Sequence, residues 1–253
     1  MFYRKDIFMV QRELLNGSIN PFNIFKLINF NRKFYRDNPG YFRPDGLTIF
    51  CGPQGSGKTL SAVKYVLELL KYYPNAILVS NIELADYPFD EERVFIFKNA
   101  DDLSKYNNDK KGVIFLIDEI QLYFNSLDSK NIDPQVMVQI SQQRKQRKHI
   151  VCTSQVFGRM AKPLREQFST IILCHKYFNC LQKNSLMDRD SLDGEESTST
   201  NLTGKVIHNY WWFHHPNDYS KYDTYCVIDN NFKDSKGVDI YDYRLPSSNE
   251  LIY

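Results

Sequence analysis

The segment Gly52-Pro53-Gln54-Gly55-Ser56-Gly57-Lys58-Thr59 constrains this chain more than any other feature in it. It matches the pattern GxxxxGK[ST] in full, and its surroundings fit: an apolar run, residues 47–51, leads in, and an amphipathic stretch, residues 58–72, leads out. A loop so placed has to bend until successive N–H groups face inward, and glycine permits this because no Cβ obstructs the turn. The start of the following helix adds partial positive charge. Strand, cradle and helix together form a phosphate-binding unit, and that unit commits the chain to an α/β sheet.

The rest of the chain agrees. Short, mostly apolar runs at residues 47–51, 76–80, 94–97, 113–117, 149–153 and 170–173 read as parallel strands covered on both faces. Between them, residues 58–72 and 134–148 read as helices, and strand alternating with helix means crossover connections. The expected fold is a P-loop NTPase, RecA-like, with a mostly parallel sheet, helices on both faces and a small β-rich C-terminal appendage. Three zones follow. Residues 1–46 form a basic, aromatic arm with helical spacing over 21–35; residues 47–175 are the P-loop core; residues 176–253 are the appendage. Within the appendage, 183–204 is polar and reads as a mobile loop, whereas 205–213 and 224–228 read as strands.

The loop assigns its own chemistry. Gly52, Pro53, Gln54, Gly55, Ser56, Gly57, Lys58 and Thr59 are the nucleotide-binding candidates, with Lys58 reaching the β- and γ-phosphates of ATP and the Thr59 hydroxyl ligating Mg²⁺. Asp118 and Glu119 end the apolar run 113–117, and carboxylates at a strand C-terminus sit where ligands bind in such sheets. Asp118 suits the metal; Glu119 suits the orientation and deprotonation of an attacking water. A small-molecule kinase activates no water, so an acid at position 119 favours ATP hydrolysis over that alternative. The run 149–153 also ends in polar residues, Thr153-Ser154-Gln155. If it neighbours the run ending in Asp118-Glu119, Gln155 is placed to sense the γ-phosphate.

Three segments together resemble the FtsK–HerA superfamily of ring-forming ATPases, and within it the zonula occludens toxin-like phage assembly and packaging ATPases: Gly52–Thr59, then Ile117-Asp118-Glu119-Ile120-Gln121, then Arg144-Lys145 followed by residues 149–155. The resemblance covers residues 47–175. It implies a homo-oligomeric ring, pentamer or hexamer, that moves double-stranded DNA, a viral portal, capsid or assembly protein as a further partner, and an arginine that serves the neighbouring subunit's site. The matching position is Arg144, with Arg147 as the fallback. Filamentous-phage members carry a membrane span after the core, and no such span is found here. Genome packaging is therefore expected ahead of phage extrusion; a scaffold that binds ATP without turnover is a further alternative.

Charge supports a polyanionic partner. From Arg144 to Arg165 there are seven basic residues and no acid, and Arg159 and Lys162, in the loop after Gln155, are candidates for DNA backbone contact; an ordinary solvated loop explains them equally well. The arm up to residue 46 carries eight Lys or Arg against four acids. It suits docking on a neighbouring subunit or viral shell, or covering an edge of its own sheet. The five cysteines have no CxxC spacing and read as reduced core residues, and the expected location is the cytoplasm.

Overall fold

The computed structural model describes residues 22–38, 41–43, 46–84, 93–124, 134–192 and 204–222. The chain divides into two compact units, residues 1–41 and 42–253. In the first, helix α1 (Phe22–Asp37) realises the helical spacing of the arm, and the Asn38 side chain closes its end by donating to the Phe34 carbonyl at 3.0 Å.

The second unit is built on one eight-stranded sheet, in the order β3-β2-β4-β5-β1-β6-β7-β8. The strands are β1 (Leu47–Cys51), β2 (Ile77–Ser80), β3 (Val94–Ile96), β4 (Val113–Ile117), β5 (Lys148–Ser154), β6 (Phe168–Tyr177), β7 (Leu181–Met187) and β8 (Val206–Phe213). The first six pair in parallel; β7 and β8 add antiparallel strands at the β6 edge. Every residue of β1, β4 and β5 is buried, as a parallel sheet with both faces covered requires. On one face, helix α2 (Lys58–Tyr72) lays Leu60, Val63, Val66, Leu67 and Leu70 against Phe50, Leu78, Ile114, Leu116 and Val151. On the other, the short helix α3 (Asp102–Lys105) contributes Leu103, helix α4 (Pro134–Gln142) contributes Val136 and Ile140, and helix α5 (Lys162–Arg165) contributes Leu164, all over Ile49, Phe115, Ile150 and Phe168. The successive residues of each strand supply the two cores alternately.

The expected β-rich C-terminal segment is present as β7 and β8, which continue the same sheet from β6. Two expectations need correction. The stretch 183–204, read as a mobile loop, begins as strand; residues 183–187 belong to β7, where Asn184 accepts from Gln182 of the same strand and Ser185 donates to Asn209 of β8. The helix expected over 134–148 ends at Gln142. A turn follows, with Arg147 in the left-handed region at φ 55°, so Arg144 and Arg147 do not share a helix face. The strand expected at 224–228 and Cys226 lie outside the described residues. Among the described cysteines, Cys51, Cys152 and Cys174 are buried and free, and burial pushes the Cys174 thiol up to about 12. No helix among the described residues is long and apolar enough to cross a membrane.

Candidate functional site

The loop from Gly52 to Gly57 places three glycines, Gly52, Gly55 and Gly57, at positive φ. Gly57 precedes α2 at φ 79°, and a Cβ there would lie 2.2 Å from Oε1 of Gln182. Gly55 has φ 76° with no atom within 4 Å of where its Cβ would be, so its requirement is conformational alone. No side chain caps α2, which leaves its first amides free to meet an anion. The Ser56 hydroxyl, inside this loop, is buried without a hydrogen-bond partner. Uncapped helix-start amides, an unsatisfied hydroxyl and a buried lysine are what a polyphosphate fits.

Sheet order brings the remaining groups to the loop. Strand β5 lies between β1 and β4, so the ends of all three meet. Lys58, only 8% exposed, sets its Nζ 3.0 Å from Oε1 of Glu119. The same oxygen accepts from Gln155 Nε2 at 3.1 Å, and Gln121 Nε2 donates to the other carboxylate oxygen. Asp118 Oδ1 accepts from the Thr59 hydroxyl at 2.9 Å and from Thr153 Oγ1 at 2.5 Å. Burial pushes the Glu119 carboxyl up, but donation from Gln121 and the charge of Lys58 outweigh it, and the net displacement is downward. For Asp118, burial outweighs donation from Thr153 and Thr59, and its carboxyl is raised.

The expected residues therefore divide. Lys58, Thr59, Asp118, Glu119 and Gln155 form one cluster. Arg144 is exposed in the turn before β5, separated from Gln155 by the full strand, about 20 Å. It does not reach the site of its own chain. Arg159 and Lys162 are exposed on the connection from β5 to β6, so the seven-residue basic block is split by β5 rather than forming one patch.

Three residues of the site went unassigned in the sequence. Asn81, just past β2, clamps the Asp118 peptide: its Oδ1 accepts from Asp118 N at 2.8 Å and its Nδ2 donates to Asp118 O at 2.9 Å. Thr153 accepts from the Glu119 amide at 3.0 Å, which helps to hold Glu119 in left-handed backbone at φ 51°. Gln182, fully buried on β7, donates to the Ser56 carbonyl at 3.0 Å and contacts Nε2 of His214 at 3.2 Å through Oε1, bracing the loop from behind. Asn81 and Thr153 were accessible to the reasoning used for Gln155, since each is a polar residue at the end of an apolar run. Gln182 carried no such signal.

The family model for the ATPase family associated with various cellular activities (AAA) matches residues 48–176, half of the chain. The chain belongs to the AAA family. As a member it is an ATP-binding P-loop ATPase. No curated protein matches it. Solved structures similar to it include the N-terminal domain of zonular occludens toxin from Neisseria meningitidis, at 14% identity, covering 70% of this chain and 98% of that one with a TM-score of 0.46. The genome packaging NTPase B204 from Sulfolobus turreted icosahedral virus 2 matches at 16% identity, 53% and 77% coverage and a TM-score of 0.41. The ATPase domain of G40P matches at 13% identity, 81% and 98% coverage and a TM-score of 0.46.

Proposed function

We propose that this AAA ATPase hydrolyses ATP as a ring motor that translocates double-stranded DNA, in the service of viral genome packaging. The observation that carries the hydrolytic part is Glu119, a carboxylate held by Lys58, Gln155 and Gln121 at the mouth of the phosphate loop. In this reading the loop amides and Lys58 bind the ATP phosphates, and Thr59 and Asp118 are the pair that would hold magnesium. Magnesium bound there would neutralise phosphate charge. Glu119, released from Lys58 when that lysine turns to the phosphates, accepts a proton from water aligned on the γ-phosphorus. Gln155, bonded to the same carboxylate, moves with it and reports phosphate occupancy to the β5–β6 connection, where Arg159 and Lys162 stand exposed.

The DNA part is supported by the resemblance and by those two cations. Double-stranded DNA should raise the hydrolysis rate without sequence preference and with steep salt dependence. Arg159→Ala with Lys162→Ala should remove most of that stimulation and leave the basal rate intact. Equal stimulation of both proteins takes this connection out of the DNA path.

Arg144, being too far from its own site, is assigned to a neighbour's. Arg144→Ala and Glu119→Gln are each expected to be inactive alone. Mixed in one ring, they should recover hydrolysis where an intact Glu119 faces an intact Arg144. Co-assembly without recovery refutes the assignment.

A further inference from the structure

The three-stranded extension β6–β8 carries chemistry that the ATP site does not use. Cys51 pairs with Leu173, so residues 174–177 of β6 project about 13 Å beyond the end of β1, at the nucleotide end of the sheet. Side chains there alternate between two faces. Gln182 and Trp212 point toward α2, one to the Ser56 carbonyl and the other beneath Lys64, whose Nζ lies 4.0 Å from the ring centre. Their neighbours Lys183 and Trp211, paired across β7 and β8, therefore point the opposite way. Tyr177 and Phe213, both paired with Leu181, join them on that outer face.

On this face the rings are assembled but uncovered. Tyr177 and Trp211 stack at 5.9 Å with their planes 28° apart, and Lys183 Nζ stands 5.4 Å over the indole. Trp211 is 53% exposed, Phe213 73%, and Phe178 at the hairpin turn 90%. Phe178 also sits at φ 50°, a conformation a bulky residue rarely adopts. No Asp or Glu occurs from Phe168 to Met187 or across β8, and Lys183 stands on this face, whereas Lys176, paired with Gln182, lies on the other. Planar apolar faces beside an ammonium group that has no ion pair among the described residues match one kind of partner: a chain of planar rings joined by anions.

We propose that the outer face of β6–β8, centred on Tyr177, Trp211 and Phe213 with Lys183, binds single-stranded nucleic acid by stacking unpaired bases on the rings and pairing a phosphate with Lys183. Such stacking tolerates any base sequence, and it requires bases not already stacked in a duplex. This goes beyond double-strand translocation and does not depend on hydrolysis.

The chain has two tryptophans, and Trp212 lies on the opposite face, so Trp212→Phe leaves Trp211 as the sole reporter. With no nucleotide present, oligothymidylate should quench Trp211 emission in the full chain, and a duplex of equal length should quench it far less. In otherwise native protein, Trp211→Ala with Phe213→Ala should weaken oligothymidylate binding about tenfold or more. Three results overturn the proposal: no quenching with affinity unchanged by the substitutions; equal quenching by duplex; or quenching that follows protein concentration alone with a matching rise in solution mass, which makes the face a contact between copies of this chain. Loss of ATPase activity would leave this readout untouched, so it fails or stands separately from the motor reading.

Discussion

Glu119→Gln separates binding from turnover, and the geometry gives its effect on binding a sign. In the free protein Lys58 Nζ is engaged with Glu119 Oε1 at 3.0 Å, both side chains largely withdrawn from water. Lys58 has to leave that partner to meet the phosphates of ATP. A hydrogen bond to a charged group contributes about 1.5–3 kcal/mol, and surrendering it opposes binding by the same amount. A glutamine at 119 still accepts from Lys58, but as a neutral group it offers about half as much. The difference of about 0.75–1.5 kcal/mol corresponds to ATP binding about three- to twelvefold tighter. Turnover should fall about 10²- to 10⁴-fold, the usual contribution of a positioned base. Fluorescence titration with a labelled ATP measures the first effect and steady-state phosphate release the second. Unchanged affinity in a folded variant would mean that Lys58 keeps Glu119 while binding phosphate. Near-native turnover would remove Glu119 as the base.

Other perturbations test the frame around the site. Gly57→Ala should abolish ATP binding and lower the melting temperature, because its Cβ would fall 2.2 Å from Gln182; Gly55→Ala, with open space at its Cβ, should bear only the backbone penalty of about 1–2 kcal/mol. Calorimetry that ranks the two equally would refute a role for that close approach. Gln182→Ala removes the donor to the Ser56 carbonyl and the contact at Nε2 of His214, so it should reduce stability by about 1–3 kcal/mol and weaken ATP binding; a stability loss with affinity unchanged would confine Gln182 to holding the hairpin. Asp102 accepts from the amides of Lys98 and Asn99 and from Lys105; burial alone would raise its carboxyl, yet these donors hold it below the ordinary value. A depressed carboxyl stabilises the fold above its unfolded pKa of about 3.9 and ceases to as pH falls through the folded value. The stability deficit of Asp102→Asn in urea should therefore be full at neutral pH and shrink below about pH 4.

Much of the fold was legible because buried parallel strands are short apolar runs, and six such runs fall within a few residues of β1 to β6. What escaped has physical reasons. Strand β7 is written in Gln182, Lys183, Asn184 and Ser185, a composition that reads as loop until its partners are known. Those partners, the Ser56 carbonyl, Ser61 and Asn209, lie far off in the chain. The end of α4 was overshot because residues 143–147 contain neither Gly nor Pro; the stop is Arg147 in left-handed backbone.

The candidate site was legible where a residue belongs to the loop motif or ends an apolar strand and opaque where it holds another residue in place. Lys58, Thr59, Asp118 and Glu119 follow from motif and strand end. Their mutual distances do not, because they depend on strand order. Asn81 reaches the Asp118 peptide only because β2 borders β4 on one side, and Thr153 reaches the Glu119 amide only because β5 borders it on the other. The two acids are thus fixed through their backbone by the side chains of Asn81 and Thr153, one from each flank, which leaves their carboxylates to face Thr59 and Lys58. Had β5 not been placed between β1 and β4, the same residues would end the same strands without forming the cluster. The motif supplies the chemical groups, and the order 2-4-5-1 supplies the geometry that makes them one site.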